Sequence, residues 1–319
     1  MGWSASLDIS SKVGSSVIFT PDTTSSHGYT VSVFQAPKKG VYRFRLYGSG
    51  GYSRTPENAN WSSSPGGTGG STEGYLLLEA GDTVYVGAGG AYSAAFVSRA
   101  SGAALKNIAK EDLYFVAGGG GGGGAMWDNS SNNSAAGGDG GGITGENGDV
   151  CSGYRGFGGT QTEAGQGNGG YGEQGGYGYG GGGGYGNDGY SLWRGDGGDG
   201  LYGGGAGGFP NGGGGGSGYI HESSVQVGSR EYANTTWQGG GAGSNAYGSV
   251  VVTYYADGEL PVTFNGVRIT ELYFDGTKVD HFVYNGTAVF MHRLKRGIAA
   301  VRKMLLLLRS PVGLKEALI

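Results

Sequence analysis

The sequence lacks the residues that several classes of glycine-rich or secreted protein require. It contains one cysteine, Cys151, which excludes an internal disulfide framework. It contains only seven prolines and no strict three-residue glycine repeat, which excludes a collagen triple helix. Residues 1–13 have no apolar run of the signal-peptide kind, and the longest run of large aliphatic residues, 304–308, is too short to cross a bilayer. We therefore expect a fold without disulfides and without a membrane span.

Basic residues are scarce where a glycine-rich RNA-binding protein would need them. Such proteins carry arginine within their glycine tracts to contact phosphates and to stack on bases. Between residues 118 and 218 only Arg155 and Arg194 are basic, against nine acidic residues, and the whole chain carries a net charge of −4. This balance would repel a nucleic acid, so we expect no nucleic-acid partner.

Side chains suited to catalysis or metal binding form no pattern along the chain. The four histidines, His27, His221, His281 and His292, lie in separate regions, and none has a partner at a zinc-ligand spacing. Residues 197–202 resemble half of a calcium-binding nonapeptide repeat, but a tyrosine replaces its second aspartate. No lysine follows a glycine run as it does in a P-loop. We therefore expect no catalytic residues, no cofactor and no metal site, and a chain that is not an enzyme.

Glycine is present in large excess together with many aromatic residues. The chain has 77 glycines, 22 tyrosines, 11 phenylalanines and 5 tryptophans, whereas disordered chains are poor in aromatic residues. Residues 41–47 alternate apolar and polar side chains before the main glycine tracts, and residues 249–255 have high β-propensity after them. Because strands precede and follow the tracts, we expect a mainly β fold with a glycine-rich insertion.

The glycine tracts are typical of extended helices with three residues per turn, which form no internal hydrogen bonds. Without side chains, such helices can approach closely and pair their backbone groups laterally, as buried N–H and C=O groups require. The tracts at residues 180–184, 203–208 and 212–216 fit this arrangement. We therefore expect a bundle of polyglycine helices, related to polyproline II, within the insertion.

Composition divides the chain into four regions. Residues 1–36 contain short strand patterns that lead into the second region, and we expect residues 37–256 to form a glycine-rich sheet structure with the polyglycine insertion at about residues 117–248. Residues 257–292 contain a repeat of period ten, in which an aromatic residue precedes Asn-Gly or Asp-Gly. These dipeptides are the strongest signal for two-residue hairpin turns, so we expect a C-terminal β-meander. Residues 293–319 form the fourth region.

The fourth region has a short apolar heptad pattern and seven basic residues against one acidic residue. It predicts a short amphipathic α-helix that ends near Pro311. Three interpretations stay open: a coiled coil that makes a homo-oligomer, with a trimer favoured; a helix packed on this chain's own core; and a helix on a membrane surface. The candidate oligomerisation residues are Leu294, Ile298, Val301, Leu305 and Leu308.

The order of several short motifs resembles the glycine-rich domains of bacteriophage tail proteins. The motifs are residues 36–51, 66–70, 78–87, 116–120 and 248–252. The glycine-rich domain of the anaplastic lymphoma and leukocyte tyrosine kinase receptors is similar. In that family a jelly-roll sandwich carries a bundle of polyglycine helices, and the tail-fibre adhesins of T-even-like phages use comparable helices. The resemblance therefore implies a jelly-roll-like sandwich with an inserted polyglycine bundle.

The C-terminal repeat favours the phage proteins over the receptors. Residues 272–280 and 284–290 resemble a short module at the C-termini of phage and prophage tail proteins. The chain also departs from the receptors, because it has neither their cysteines nor a membrane span nor a kinase domain.

The resemblance implies a tail-fibre or tail-tip protein of a virion, which acts outside the cell. Its partners would be other tail proteins and a saccharide or protein receptor on the host surface. Two alternatives stay open: a purely structural tail cap or linker, and an extracellular glycine-rich signalling or binding module. Aromatic side chains suit such contacts, although each could instead lie in the core. The candidate receptor contacts are Trp61, Trp127, Trp193, Trp237, Tyr190 and Tyr202.

Overall fold

The chain divides into two compact units in the computed structural model. The first comprises residues 1–226 and 230–257, and the second comprises residues 227–229 and 258–319. The structure describes residues 13–22, 25–53, 64–125, 134–151, 155–167, 172–183, 194–208, 210–221 and 247–257, and short strands between residues 262 and 291.

The described part of the first unit contains eleven strands and two single-turn 3₁₀ helices, Leu105–Asn107 and Lys110–Asp112. The strands are β1 (Ser16–Phe19), β2 (Tyr29–Gln35), β3 (Gly40–Tyr47), β4 (Ser71–Leu78), β5 (Thr83–Gly89), β6 (Ala95–Ser98), β7 (Leu113–Ala117), β8 (Gly124–Ala125), β9 (Ser134–Ala135), β10 (Tyr219–Ile220) and β11 (Ser249–Asp257).

Nine of these strands form two antiparallel sheets. One sheet has the order β1-β11-β3-β4 and the other has the order β10-β7-β6-β5-β2. Strands from before and after the glycine tracts are neighbours in both sheets: β11 pairs with β3, with Ser249 opposite Tyr47, and β10 pairs with β7. The prediction of a mainly β fold is therefore confirmed, and the glycine tracts lie between strands of the same two sheets.

The two sheets share one apolar core. Alternating residues of β3 point inward, where Tyr42, Phe44 and Leu46 are fully buried. Phe34 of the other sheet meets the rings of Tyr42 and Phe44 edge-on, at centroid distances of 5.4 Å and 6.1 Å. Edge-on packing is the favoured arrangement for aromatic pairs. The sheets therefore face each other and form a scaffold for the glycine-rich residues.

The glycine-rich residues form extended segments whose backbones bond to one another. Donors recur at every third residue: Gly119 and Gly122 donate to the carbonyls of Asp199 and Asp196 at 2.8 Å and 2.7 Å. Gly67 and Gly70 likewise donate to residues 121 and 118 on a neighbouring segment, both at 2.8 Å. Burial follows the same period, since residues 142, 145 and 148 are buried and the residues between them are exposed. Lateral backbone bonds thus replace the internal bonds of an ordinary helix.

Close approach of these segments leaves no space for a side chain at the contacts. A Cβ on Gly121 would overlap the carbonyl oxygen of Gly213, and a Cβ on Gly118 would overlap that of Gly216. In both cases the obstacle is backbone, which cannot move aside as a flexible side chain can. Glycine at these positions is therefore a requirement of packing.

The described strands of the second unit form three two-stranded hairpins. They are β12 (Val262–Phe264) with β13 (Val267–Ile269), β14 (Tyr273–Phe274) with β15 (Thr277–Lys278), and β16 (His281–Tyr284) with β17 (Thr287–Met291). Each hairpin brackets one predicted turn.

In the described residues of this unit, strand pairing lies within each hairpin. The predicted β-meander also involves residues between the hairpins that lie outside the described residues, so it stays a prediction. The predicted C-terminal α-helix lies outside the described residues.

We expect Gly121→Ala to lower the free energy of unfolding by about 2 kcal/mol or more, because the methyl group must push two backbones apart. Gly182→Ala is the matched control, since its Cβ would meet only the flexible carboxylate of Glu173, with the nearest atom at 3.2 Å. Urea denaturation of both variants measures the difference. Equal losses of stability would contradict close backbone packing at Gly121.

Candidate functional site

The described ends of several glycine segments lie beside one another at one end of the first unit. The segments at residues 48–53, 64–70, 118–125 and 210–218 each continue into a strand of the two sheets at their other end. We call the end away from the sheets the distal end. It is bordered by Tyr52, Ser64, Ala125, Ser134, Cys151, Arg155, Gly183 and Arg194.

Hydrogen bonds hold these bordering residues beside one another. Gly123 donates to the carbonyl of Tyr52 at 3.1 Å, and the Ser64 hydroxyl donates to the carbonyl of Ala135. Strands β8 and β9 pair Gly124 with Ala135. Segments distant in sequence therefore reach the distal end side by side.

Asn211 is the central polar residue of the distal end. It is fully buried, its carbonyl accepts a hydrogen bond from Gly195 at 3.3 Å, and its side-chain Oδ1 accepts one from the backbone of Cys151 at 2.7 Å. Asn211 thus joins three segments with one side chain and one carbonyl. Its place after Pro210, where the chain turns, is the only sequence signal that marks it.

Four of the candidate receptor contacts belong to stretches that connect segments at the distal end. Trp61 lies between residues 53 and 64, Trp127 between 125 and 134, and Tyr190 and Trp193 between 183 and 194. These four residues are themselves outside the described residues. The structure therefore fixes where their stretches begin and end.

The remaining candidates are placed differently. Tyr202 is half-buried in a second apolar cluster with Leu105 and Leu201, and its ring lies 5.9 Å from that of Tyr177. Trp237 lies outside the described residues, between β10 and β11. The oligomerisation candidates Leu294, Ile298, Val301, Leu305 and Leu308 also lie outside them.

A second polar site joins the sheets to the glycine segments. The Asp199 side chain is only 1% exposed, and His27 Nδ1 lies 2.7 Å from its Oδ1. The Tyr29 hydroxyl donates to Oδ2 at 2.8 Å, and the backbone of Gly180 donates to Oδ1 at 2.8 Å. We call these four residues the Asp199 cluster. It connects β2, and His27 two residues before that strand, to two glycine segments.

The backbone at this cluster is unusual. His27 and Tyr92 have φ angles of 55° and 66°, and they are the two non-glycine residues with positive φ in the described part of the chain. Their rings stack at a centroid distance of 5.2 Å. Such conformations cost on the order of 1–3 kcal/mol each and gather at functional sites. The surrounding bonds maintain them, since Asp199 donates its N–H to the carbonyl of Tyr92 at 2.7 Å.

The electrostatics of the cluster follow from burial and the carboxylates. Burial lowers the pKa of His27, but the carboxylates of Asp199 and Asp196 outweigh it, so that the pKa lies above the usual 6.5. Burial, together with the Asp199 carboxylate, raises the pKa of Tyr29 well above its usual range. A tyrosine that keeps its proton is a poor nucleophile. The arrangement is suited to binding a proton and to joining segments.

Sequence inspection did not single out the Asp199 cluster. It treated Asp199 as half of a calcium motif and His27 as an isolated histidine, because 172 positions separate them in the chain. In the described residues, no group of three or more His, Cys, Asp or Glu side chains could hold a metal ion. The described helices also include none long and apolar enough to cross a membrane.

Comparison with known proteins adds no relative: no protein-family model matches this chain, and no curated protein sequence matches it significantly.

We expect Asp199→Ala to lower the free energy of unfolding by about 3 kcal/mol or more, because it removes a carboxylate that is only 1% exposed and leaves the donors of Tyr29, His27 and Gly180 without their acceptor. Glu79→Ala is the control, since that carboxylate is 60% exposed and pairs with Lys39 on the surface. Its expected loss is under about 1 kcal/mol. Urea denaturation of both variants tests this, and similar losses would contradict a buried structural role for Asp199.

Proposed function

We propose that this chain is a non-enzymatic protein of a bacteriophage tail, a fibre or tail-tip protein that attaches the virion to a receptor on the host surface. The observation that carries the proposal is the convergence of segment ends at the distal end. The resemblance of the motif order to phage tail proteins supports the same assignment. The protein would act in the virion, outside the cell, beside other tail proteins.

We further propose that the glycine segments are polyglycine helices and that the two sheets form a jelly-roll sandwich. The three-residue recurrence of lateral hydrogen bonds supports the helices, because three residues per turn bring every third N–H to the same side. Both directions of packing occur: Gly138 and Gly141 bond to residues 213 and 216 of a parallel neighbour, both at 2.8 Å. Two facing antiparallel sheets with neighbours from distant parts of the chain support the jelly roll.

Attachment would use the connecting stretches at the distal end. The stretches at residues 54–63, 126–133 and 184–193 each carry one candidate tryptophan, and together they contain asparagine, aspartate and serine. Rings combined with short polar side chains suit both saccharide and protein surfaces. A rigid platform lowers the entropy cost of ordering the contact, and several copies on one virion multiply weak contacts. The receptor is therefore a host-surface saccharide or protein.

We expect the purified full chain to bind intact host cells and to block adsorption of the virion. A variant with alanine at Trp61, Trp127, Tyr190 and Trp193 should lose both effects by tenfold or more, because it removes the proposed contact rings. The control variant carries Phe157→Ala and Tyr179→Ala, two side chains that are each 45% exposed on glycine segments. It should bind as the unchanged protein does.

Flow cytometry of labelled protein and a plaque-adsorption assay measure these effects. If the folded, unchanged protein neither binds cells nor competes with virions, the receptor role fails and the purely structural tail role replaces it. If both variants lose binding equally, the contact is not at the distal end.

We also propose that the basic C-terminal region makes a homo-oligomer, with a trimer favoured, through its apolar heptad positions. Removal of residues 293–319 should reduce the mass in solution from three chains to one, because a seam of about two heptads is stable only with partners. Light scattering after size-exclusion chromatography measures the mass. An unchanged mass would eliminate the coiled coil.

A further inference from the structure

We infer that His27 is a proton-operated latch, which fixes a pair of glycine segments to the β-sheets when the imidazole is protonated and loosens them when it is neutral. The inference is independent of the proposed attachment function. It begins from where the Asp199 cluster lies, at the end of the glycine segments nearest the sheets.

The latch joins parts of the chain that are far apart in sequence. Residue 27 leads into β2, whereas Asp199 belongs to the glycine segment at residues 194–200. The backbone of Gly180, on the preceding segment, donates to the same carboxylate oxygen that His27 approaches. One carboxylate therefore holds a sheet strand and two neighbouring glycine segments together.

The groups that face His27 favour its charged form. Asp199 and Asp196 approach from the glycine segment, and Asp196 also accepts a hydrogen bond from Gly183 at 2.5 Å. Lys106 of the first 3₁₀ helix opposes them. Tyr29 and Tyr92 complete the surroundings from the sheet side, and the Tyr52 ring stands edge-on to that of Tyr92 at 5.2 Å. Two negative charges, Asp199 and Asp196, therefore act on His27 against one positive charge, Lys106.

His27 differs from a fully buried core histidine because solvent can reach its side chain. Its side chain is 30% exposed, whereas its partner Asp199 is 1% exposed. The imidazole can therefore exchange its proton with solvent without unfolding. The left-handed backbone at residues 27 and 92 adds conformational strain at the same place. Loss of the charge on His27 weakens the contact that compensates for this strain.

The direction of the pH dependence follows from linkage. The pKa of His27 in the folded protein is higher than in the unfolded chain, so its protonation stabilises the folded state. That contribution is fully present below about pH 6.5 and is lost as the pH rises through the higher folded-state value. The segments at residues 178–183 and 194–200 should therefore open more often at mildly alkaline pH. The stretch between them carries Tyr190 and Trp193.

Amide hydrogen exchange tests the latch on the full chain. Protection factors, corrected for the intrinsic pH dependence of exchange, should fall several-fold from pH 6 to pH 8.5 in residues 178–183 and 194–200. The backbone N–H groups of residues 211–218 donate to carbonyls outside residues 178–183 and 194–200. Residues 211–218 therefore serve as the internal reference, and their protection should not change. His27→Gln should abolish the pH effect, and His221→Gln, at the end of β10, should retain it.

A wild-type protein without pH-dependent protection would overturn the latch, and so would a His27→Gln variant that keeps the dependence. Should His27→Gln fail to fold, an NMR titration of the wild-type imidazole Cε1–H resonances decides the question. A pKa for His27 at or below that of a free histidine would then refute the proposal. A pKa above it, together with pH-dependent protection, would support it.

Discussion

The fold depends on backbones that pair sideways at hydrogen-bond distance with no side chain between them. Lateral bonds such as Gly138 to Gly213, at 2.8 Å, bring neighbouring segments so close that a Cβ at most contacts would overlap a carbonyl group. Glycine loses more conformational entropy on folding than any other residue. That cost recurs through the tracts, so the segments need external anchors as well as mutual bonds.

The anchors lie at both ends of the glycine segments. Near the sheets, several segments continue directly into strands with large buried aromatic side chains, and the Asp199 cluster adds a charged connection. At the distal end Asn211 joins three segments. These few non-glycine residues also determine register, because a run of identical glycines can slide without changing its own chemistry. The rigidity of the region therefore rests on the lateral backbone bonds together with polar side chains at both ends of the segments.

The sequence was sufficient to predict elements whose pattern is local. The alternation in residues 41–47 and the β-rich run after the tracts correspond to β3 and β11, and the Asn-Gly and Asp-Gly pairs mark the three hairpins. It was insufficient for the contacts between segments, because glycine tracts carry no information about their neighbours. His27 and Asp199 meet only through that unpredictable packing.

In a scaffold of this kind the residues that make it rigid differ from the residues that carry varied side chains. Close-packed glycine segments can present few side chains: an outer segment exposes two of every three residues, and an inner segment such as residues 211–218 is entirely buried. Chemical variety must therefore reside at positions away from those backbone contacts. In this chain three of the five tryptophans, Trp61, Trp127 and Trp193, belong to stretches that connect described glycine segments. Under the proposed attachment function, changes in the connecting stretches would alter the receptor contact and leave the lateral hydrogen bonds of the described segments in place, because those bonds join backbone atoms.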